Sequence, residues 1–197
     1  MSGRLIVFEG LDQSGKETQA QELRERLRSQ GHRVRLVSFP DYGTSIGEEI
    51  ARALQGERDY SPEVMQLLFI ANRYERKPAM EHWMESGLIL VCDRYRASSI
   101  AYGEAQGLDP KWLTDTQQYL PQPELTILLD ISPHTALTRK AVGRDRYERD
   151  LQLLERVRAS YLRQAKEAGW HVVDGEQPKP AVSGAVTQIV DGWVGLA

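Results

Sequence analysis

Five short runs of this chain are rich in apolar residues, and several are nearly continuous: Leu5–Phe8, Val34–Phe39, Leu88–Cys92, Leu125–Ile131 and Trp170–Val173. Runs of this length that do not alternate mark strands covered on both faces. The segments between them keep a different rhythm. Residues 16–30 place Ala20, Leu23 and Leu27 three and four apart, and Gly31 follows, which predicts a helix with one buried face and a glycine stop. Ser61-Pro62-Glu63 opens a second helix with a capping hydroxyl, a first-turn proline and an acid at the positive end. Its apolar stripe is Val64, Leu67, Leu68 and Ala71, and it runs until it meets Pro78. Asp109-Pro110 and Ser132-Pro133 open two more helices. Leu151, Leu154, Val157 and Tyr161 define a long one over 151–168, and residues 180–194 form the last. Strands alternating with helices predict an α/β sandwich around a parallel sheet, with ligands at the carboxyl ends of the strands.

No repeat, low-complexity tract or linker interrupts the 197 residues, so residues 1–197 are read as one domain. Charged residues make up 27% and hydrophobic ones 41%, the balance of a water-soluble globular chain. A net charge of −3 argues against a nucleic-acid partner, which selects a basic domain. Cys92 is the only cysteine, so no internal disulfide forms, as suits a reducing compartment. The start lacks a signal-peptide pattern and no apolar run approaches membrane-spanning length, so the chain is expected to be cytoplasmic without a membrane partner. His32, His82, His134 and His171 lie far apart, without zinc-ligand spacing.

Chemistry enters directly after the first apolar run, at Gly10-Leu11-Asp12-Gln13-Ser14-Gly15-Lys16. A glycine-spaced loop between strand and helix turns backbone N–H groups toward one point at the positive end of the helix, which builds an anion site. Lys16 adds a charge that reaches β- and γ-phosphates, and it is expected to be exposed there. The spacing is the P-loop pattern G-x-x-x-x-G-K. It departs at Glu17, where Ser or Thr normally meets Mg²⁺; Thr18 follows.

A second centre stands at the end of the Leu88–Cys92 run, where Asp93 and Arg94 leave a strand together. On a parallel sheet that edge is also the edge of the P-loop. An aspartate there suits Mg²⁺, directly or through water, and an arginine forks onto phosphate oxygens.

With these centres in place the chain resembles the thymidylate kinase (dTMP kinase) family, in the nucleoside-monophosphate kinase group of P-loop proteins. The likeness rests on Phe8 to Lys16 with Thr18; Phe39-Pro40-Asp41-Tyr42-Gly43-Thr44; Leu67-Leu68-Phe69 through Asn72-Arg73-Tyr74-Glu75; and Asp93-Arg94-Tyr95 with Ser98, Ala101 and Tyr102. Pro123–Thr126 through Asp130 and Asp145–Glu148 are weaker blocks. The resemblance implies a P-loop NTPase three-layer sandwich: a five-stranded parallel sheet flanked by helices, with a short lid over about 139–149. It implies transfer of the γ-phosphoryl group of ATP to dTMP, Mg²⁺ as cofactor, and a homodimer.

Carried over by residue, Gly10, Leu11, Asp12, Gln13, Ser14, Gly15, Lys16, Glu17 and Thr18 hold ATP, with Arg139 at the lid stem. Phe39, Pro40, Tyr42, Phe69, Arg73, Arg94, Ser98, Ser99 and Tyr102 hold dTMP. Phe69 stacks on thymine, although its neighbours on the helix equally suit plain core. Arg73 serves the base and phosphate side, Arg94 the phosphate, and Tyr102 the sugar, where it disfavours a 2′-hydroxyl. Asp12, Asp93 and Thr18 arrange the metal, partly through water. Asp12, Lys16, Arg94, Arg144 and Arg146 are the catalytic set. Gln13 brings no charge to the loop tip, so the chain looks like the type that keeps its working arginine in the lid.

Glu17 is read as an acid stabilising the helix start rather than as a ligand. The Phe39–Tyr42 block also lacks an arginine that some relatives carry, which shifts phosphate binding toward Arg94 and Arg73. A deoxynucleoside kinase is the neighbouring alternative, with Glu9 as its base, but it leaves Arg73 and Arg94 without an anionic acceptor. A nucleotide-binding regulator without catalysis rests on Glu17 alone. A GTPase is disfavoured because no Asn-Lys-x-Asp motif occurs.

Overall fold

A computed structural model describes residues 3–139, 147 and 150–194 of the chain. The five apolar runs are five parallel strands: β1 (Arg4–Glu9), β2 (Val34–Ser38), β3 (Ile89–Asp93), β4 (Leu125–Asp130) and β5 (His171–Asp174). They lie side by side in the order β2-β3-β1-β4-β5. Every β1 side chain from Leu5 to Glu9 is buried, which explains the absence of alternation. The helices are α1 (Lys16–Ser29), α2 (Ser45–Leu54), α3 (Pro62–Glu85), α4 (Arg96–Ala105), α5 (Pro110–Asp115), α6 (Pro133–Arg139), α7 (Leu151–Ala168) and α8 (Lys179–Val194).

The sheet separates two apolar layers. Ile6 and Phe8 meet Leu23 and Leu27 of α1 and Val182, Val186 and Val190 of α8 on one face. Leu5 and Val7, on the other face, meet Met80 of α3 and Tyr95. Beside them α4 packs on α7 through Ala97, Ala101, Leu154 and Val157. The chain therefore leaves β1 toward one face and β3 toward the other. Adjacent parallel strands whose exits diverge in this way leave a crevice at their carboxyl ends. Phe8 of β1 is in register with Asp93 of β3, so the P-loop and the Asp93-Arg94 pair flank that crevice.

Three expectations change. The helix opened by Ser61 does not stop at Pro78 but continues to Glu85. An internal proline costs about 3 kcal/mol, and the continuation offsets this by burying Met80 completely and packing Trp83 and Met84 on the same cluster. The stripe read along this helix is also turned. Val64 and Leu67 are exposed, and the buried face carries Met65, Gln66, Ile70, Asn72 and Arg73. A face lined by arginine, asparagine and glutamine is invisible to an apolar pattern. Finally, α2 was not anticipated: its start depends on the Thr44 hydroxyl, which accepts from Gly47 N–H at 3.0 Å.

Candidate functional site

The P-loop backbone is forced by contacts. Gly10 has φ 140°, and a Cβ there would stand 2.4 Å from the Leu129 carbonyl oxygen. Gly15 is left-handed at the threshold of α1 and offers no side-chain cap. The first N–H groups of α1 are thus left for an anion. Leu11 and Ser14 are buried beneath the loop, so Gly10, Leu11 and Ser14 shape the cradle while Asp12, Gln13, Gly15, Lys16, Glu17 and Thr18 line the cleft above it.

Lys16 departs from expectation: it is 5% exposed rather than open. Its Nζ donates to the Leu11 carbonyl at 2.7 Å and to Ser14 Oγ at 3.4 Å, so the loop wraps the ammonium and aims it inward. Burial and then the Arg94 charge lower its pKa to about 8, against the pull of Asp93, Asp12 and Glu9. Glu17 is exposed in the first turn of α1, at the edge of the cleft, and accepts from Gln21 Nε2 at 3.1 Å. Arg139 also stands outside the cleft lining. Its guanidinium donates to the Gln13 carbonyl at 3.1 Å and the Gly175 carbonyl at 2.8 Å, bracing the loop tip.

Arg94 is the hinge of the arrangement. Its φ of 62° is rare for a residue with a side chain, and its backbone N–H donates to the Phe8 carbonyl at 2.9 Å. Nη2 meets Asp12 Oδ1 at 2.6 Å, while Nη1 reaches the Gly10 carbonyl, Ser98 Oγ and the Tyr161 hydroxyl at 3.1–3.2 Å. The strained backbone is held by contacts to the P-loop, α4 and α7 together.

Beyond Arg94 lies a second pocket that gathers Phe39, Pro40, Tyr42, Phe69, Arg73, Arg94, Ser98, Ser99 and Tyr102, all of the expected dTMP set. The Phe39–Pro40 peptide bond is cis. Phe69 satisfies both of its readings, since it packs on the α4–α7 layer and also lines the pocket. Arg73 is 3% exposed and donates to neutral partners, Ser99 Oγ at 2.7 Å and Gln117 Oε1 at 3.4 Å. The Tyr102 hydroxyl donates to Asp12 Oδ2 at 3.1 Å. Asp12 and Arg94, with Phe39, Pro40 and Tyr42, line both the pocket and the P-loop cleft, so the two spaces are continuous past the charged pair.

A family profile described as thymidylate kinase matches residues 8–186. The chain belongs to the thymidylate kinase family. It is 41% identical to a thymidylate kinase of Schizosaccharomyces pombe over 165 residues, 84% of this chain and 78% of that protein. Against the thymidylate kinase of Homo sapiens the identity is 35%, covering 91% of this chain and 86% of the other. Among solved structures, the thymidylate kinase from Candida albicans superposes with a TM-score of 0.86 at 31% identity, covering 97% of this chain and 92% of that one. The fold is that of a thymidylate kinase, a P-loop kinase fold with a five-stranded parallel sheet.

Some features of this thymidylate kinase site escaped the sequence. Glu9 is 1% exposed, and its oxygens receive the Tyr95 N–H at 2.9 Å and the Ser98 hydroxyl at 2.7 Å, with the Tyr161 hydroxyl 3.3 Å away. Burial raises its pKa above the usual carboxylate value. Leu54, Gln66 and Tyr147 also line the second pocket. Glu9 stood in the motif next to Gly10, but its partners come from far along the chain, and no local signal names Gln66. Arg144 and Arg146, expected in the lid, lie outside the described residues, as does the rest of 140–146.

Proposed function

We propose that the chain transfers the γ-phosphoryl group of ATP to dTMP, giving dTDP and ADP. One observation carries this reading. The P-loop cleft and a second, arginine-bearing pocket share the Asp12–Arg94 pair, so two polyanions bound there would meet at that pair. The acceptor is a phosphate monoester with a second pKa of about 6, largely dianionic at neutral pH. It needs no strong base, and the protein's work is to position and neutralise. Lys16 and the first N–H groups of α1 take the donor phosphates. Arg94 takes the acceptor phosphate, with Arg73 behind it at the base side, Phe69 against the ring and Tyr102 against the sugar. Asp12 holds Arg94 in place at the boundary of the two clefts.

Mg²⁺ fits the residues present. Asp93 lines the P-loop cleft, and its Oδ1 is buried without a hydrogen-bond partner. Both Asp12 oxygens already receive donors, which leaves Asp93 as the leading protein oxygen, with Thr18 lining the same cleft. Among the described residues no cluster of three His, Cys, Asp or Glu side chains could cage a metal, as suits an ion that keeps its waters. Bound there, Mg²⁺ would neutralise phosphate charge. Lid residues over about 139–149, with Arg144 and Arg146, complete the proposed catalytic set.

The deoxynucleoside kinase alternative loses support, because Glu9 spends both oxygens on protein donors beneath α4. A homodimer is part of the proposal, with Val64 and Leu67 supplying exposed apolar surface on α3. So is a cytoplasmic location; among the described residues no helix is long and apolar enough to cross a membrane. The test is ADP release from ATP with dTMP, thymidine or neither. Release with dTMP alone is expected, and release with thymidine instead would return the alternative.

A further inference from the structure

Gln66 is the polar side chain of the acceptor pocket that the proposed reaction leaves without a task. It is 0% exposed, and both Oε1 and Nε2 are buried without a hydrogen-bond partner. Buried polar groups are nearly always paired, because burial removes the bonds that water supplied. A carboxamide orphaned at both ends therefore needs an explanation. It is not stranded in apolar core, for it lines the same pocket as Phe69, Arg73 and Ser99.

Two elements set its place. On α3, Gln66, Phe69 and Arg73 are three and seven residues apart, which puts them on one face. On α4, Gly103 offers bare backbone: a Cβ there would stand 3.3 Å from Gln66 Cγ and 2.5 Å from Leu113 Cδ1. The glutamine stem is seated against that backbone. One turn earlier on α4, Ser99 Oγ receives Arg73 Nη1 at 2.7 Å. Gln66–Gly103 and Arg73–Ser99 are successive rungs between α3 and α4, and Phe69 stands between them on α3.

We propose that Gln66 reads the imide edge of the pyrimidine base, with Oε1 accepting from N3–H and Nε2 donating to a flanking carbonyl. The inference rests on the dTMP reading of this pocket. The imide presents a carbonyl on each side of an N–H, so its recognition needs an acceptor between donors. Arg73 supplies donors only, and its Nε is itself buried and unpartnered. Three other side-chain acceptors of the pocket already receive protein donors. Ser99 Oγ receives Arg73, Ser98 Oγ receives Arg94, and the Asp12 oxygens receive Arg94 and Tyr102. Gln66 Oε1 carries no such donor. A carboxamide can be turned end for end, so alone it would serve cytosine equally well. Arg73 removes that freedom, because a donor-only guanidinium suits a keto oxygen and opposes an exocyclic amino group. Together the two residues select thymine or uracil over cytosine, and neither reads the 5-methyl group.

The experiment replaces the amide while filling its space, with Gln66→Leu and Gln66→Met. KM for dTMP is expected to rise about tenfold, the scale of a lost buried hydrogen-bond pair, with kcat little changed. The inhibition constant of 2-deoxyribose 5-phosphate, which has no base, should not move, and the melting temperature should hold or rise. Unchanged dTMP affinity overturns the proposal. So does a parallel loss for the base-less sugar phosphate, because Gln66 would then only shape the pocket. Calorimetric binding of dTMP to the unsubstituted protein separates the two readings. Binding without turnover ends the kinase assignment and leaves the base contact measurable in the variants, whereas absence of dTMP binding ends both.

Discussion

The Arg94 guanidinium meets the Asp12 carboxylate at 2.6 Å, joining the exit of β3 to the tip of the P-loop. Tyr102 closes the chain on the second Asp12 oxygen at 3.1 Å. Burial alone would raise the Asp12 pKa, but the Arg94 and Lys16 charges and the bonds from Arg94 and Tyr102 lower it to about 2. The sign follows from linkage: a depressed carboxyl contributes its full stability above the unfolded value of 3.8 and loses it progressively as pH falls from there through about 2. Asp12 therefore stays ionised, and Arg94 stays oriented, throughout the neutral range.

The Tyr102 hydroxyl and ring have separable tasks. Tyr102→Phe keeps the ring and is expected to preserve the preference for dTMP over its ribose counterpart while weakening the hold on Asp12. Tyr102→Ala removes the wall and should relax that preference. The measurement is the ratio of kcat/KM values for the two nucleotides. A ratio that survives the alanine substitution removes the ring from the sugar-facing wall.

Lys16 predicts a pH limb. Its pKa is lowered from 10.5 to about 8, chiefly by burial, so folding stability should rise as pH climbs from about 8 toward the unfolded value, where the unfolded chain binds more protons. Activity moves the opposite way, because the phosphates need the ammonium. We expect kcat/KM for ATP to fall above about pH 8, reporting the free protein, and this limb to vanish in Lys16→Arg. Lys16→Ala should fold and lose kcat by about 10²-fold or more. Near-normal kcat in that variant would falsify the P-loop assignment.

Glu17→Ser is expected to retain activity that responds to Mg²⁺. The carboxylate is exposed and engaged by Gln21, at the positive end of a helix, where an acid stabilises by about 0.3–1 kcal/mol. Loss of activity in both Glu17→Ser and Glu17→Gln, with folding intact by circular dichroism, would make it a metal ligand instead.

Gln13 brings no charge to the loop tip, and Arg139 is spent on the carbonyls of Gln13 and Gly175. The moving phosphoryl group then depends on Arg144 or Arg146. Alanine at the working position should lower kcat by roughly 10²–10³-fold with little change in KM for ATP, as for a cation that acts only on closure. Gln13→Arg in each variant supplies the control, since partial rescue places both positions on the same charge. Full kcat in both single variants reduces the lid to a cover.

What the sequence determined by itself was whatever is local. Apolar runs named all five strands: β1, β3 and β4 are covered on both faces and nearly uninterrupted, while the edge strands β2 and β5 still stand out although they carry exposed positions such as Arg35 and His171. The glycine and lysine spacing before α1 named the phosphate cradle, and Asp93-Arg94 named the second centre, because each is written within a few consecutive residues. Resemblance then assembled the dTMP set, and the pocket gathers all of it. Tertiary structure decided the rest. The Arg94–Asp12 pair spans 82 residues and the Arg73–Ser99 bond 26, and the divergent exits of β1 and β3 bring such partners together. Only packing showed that α3 runs through Pro78, that its buried face mixes Gln66, Asn72 and Arg73 with Met65, Ile70 and Met80, and that Lys16 is wrapped by its own loop. Gln66 is the plainest case. Along the chain it is one more polar residue on a helix; seated against Gly103, it is a buried amide that faces a pocket.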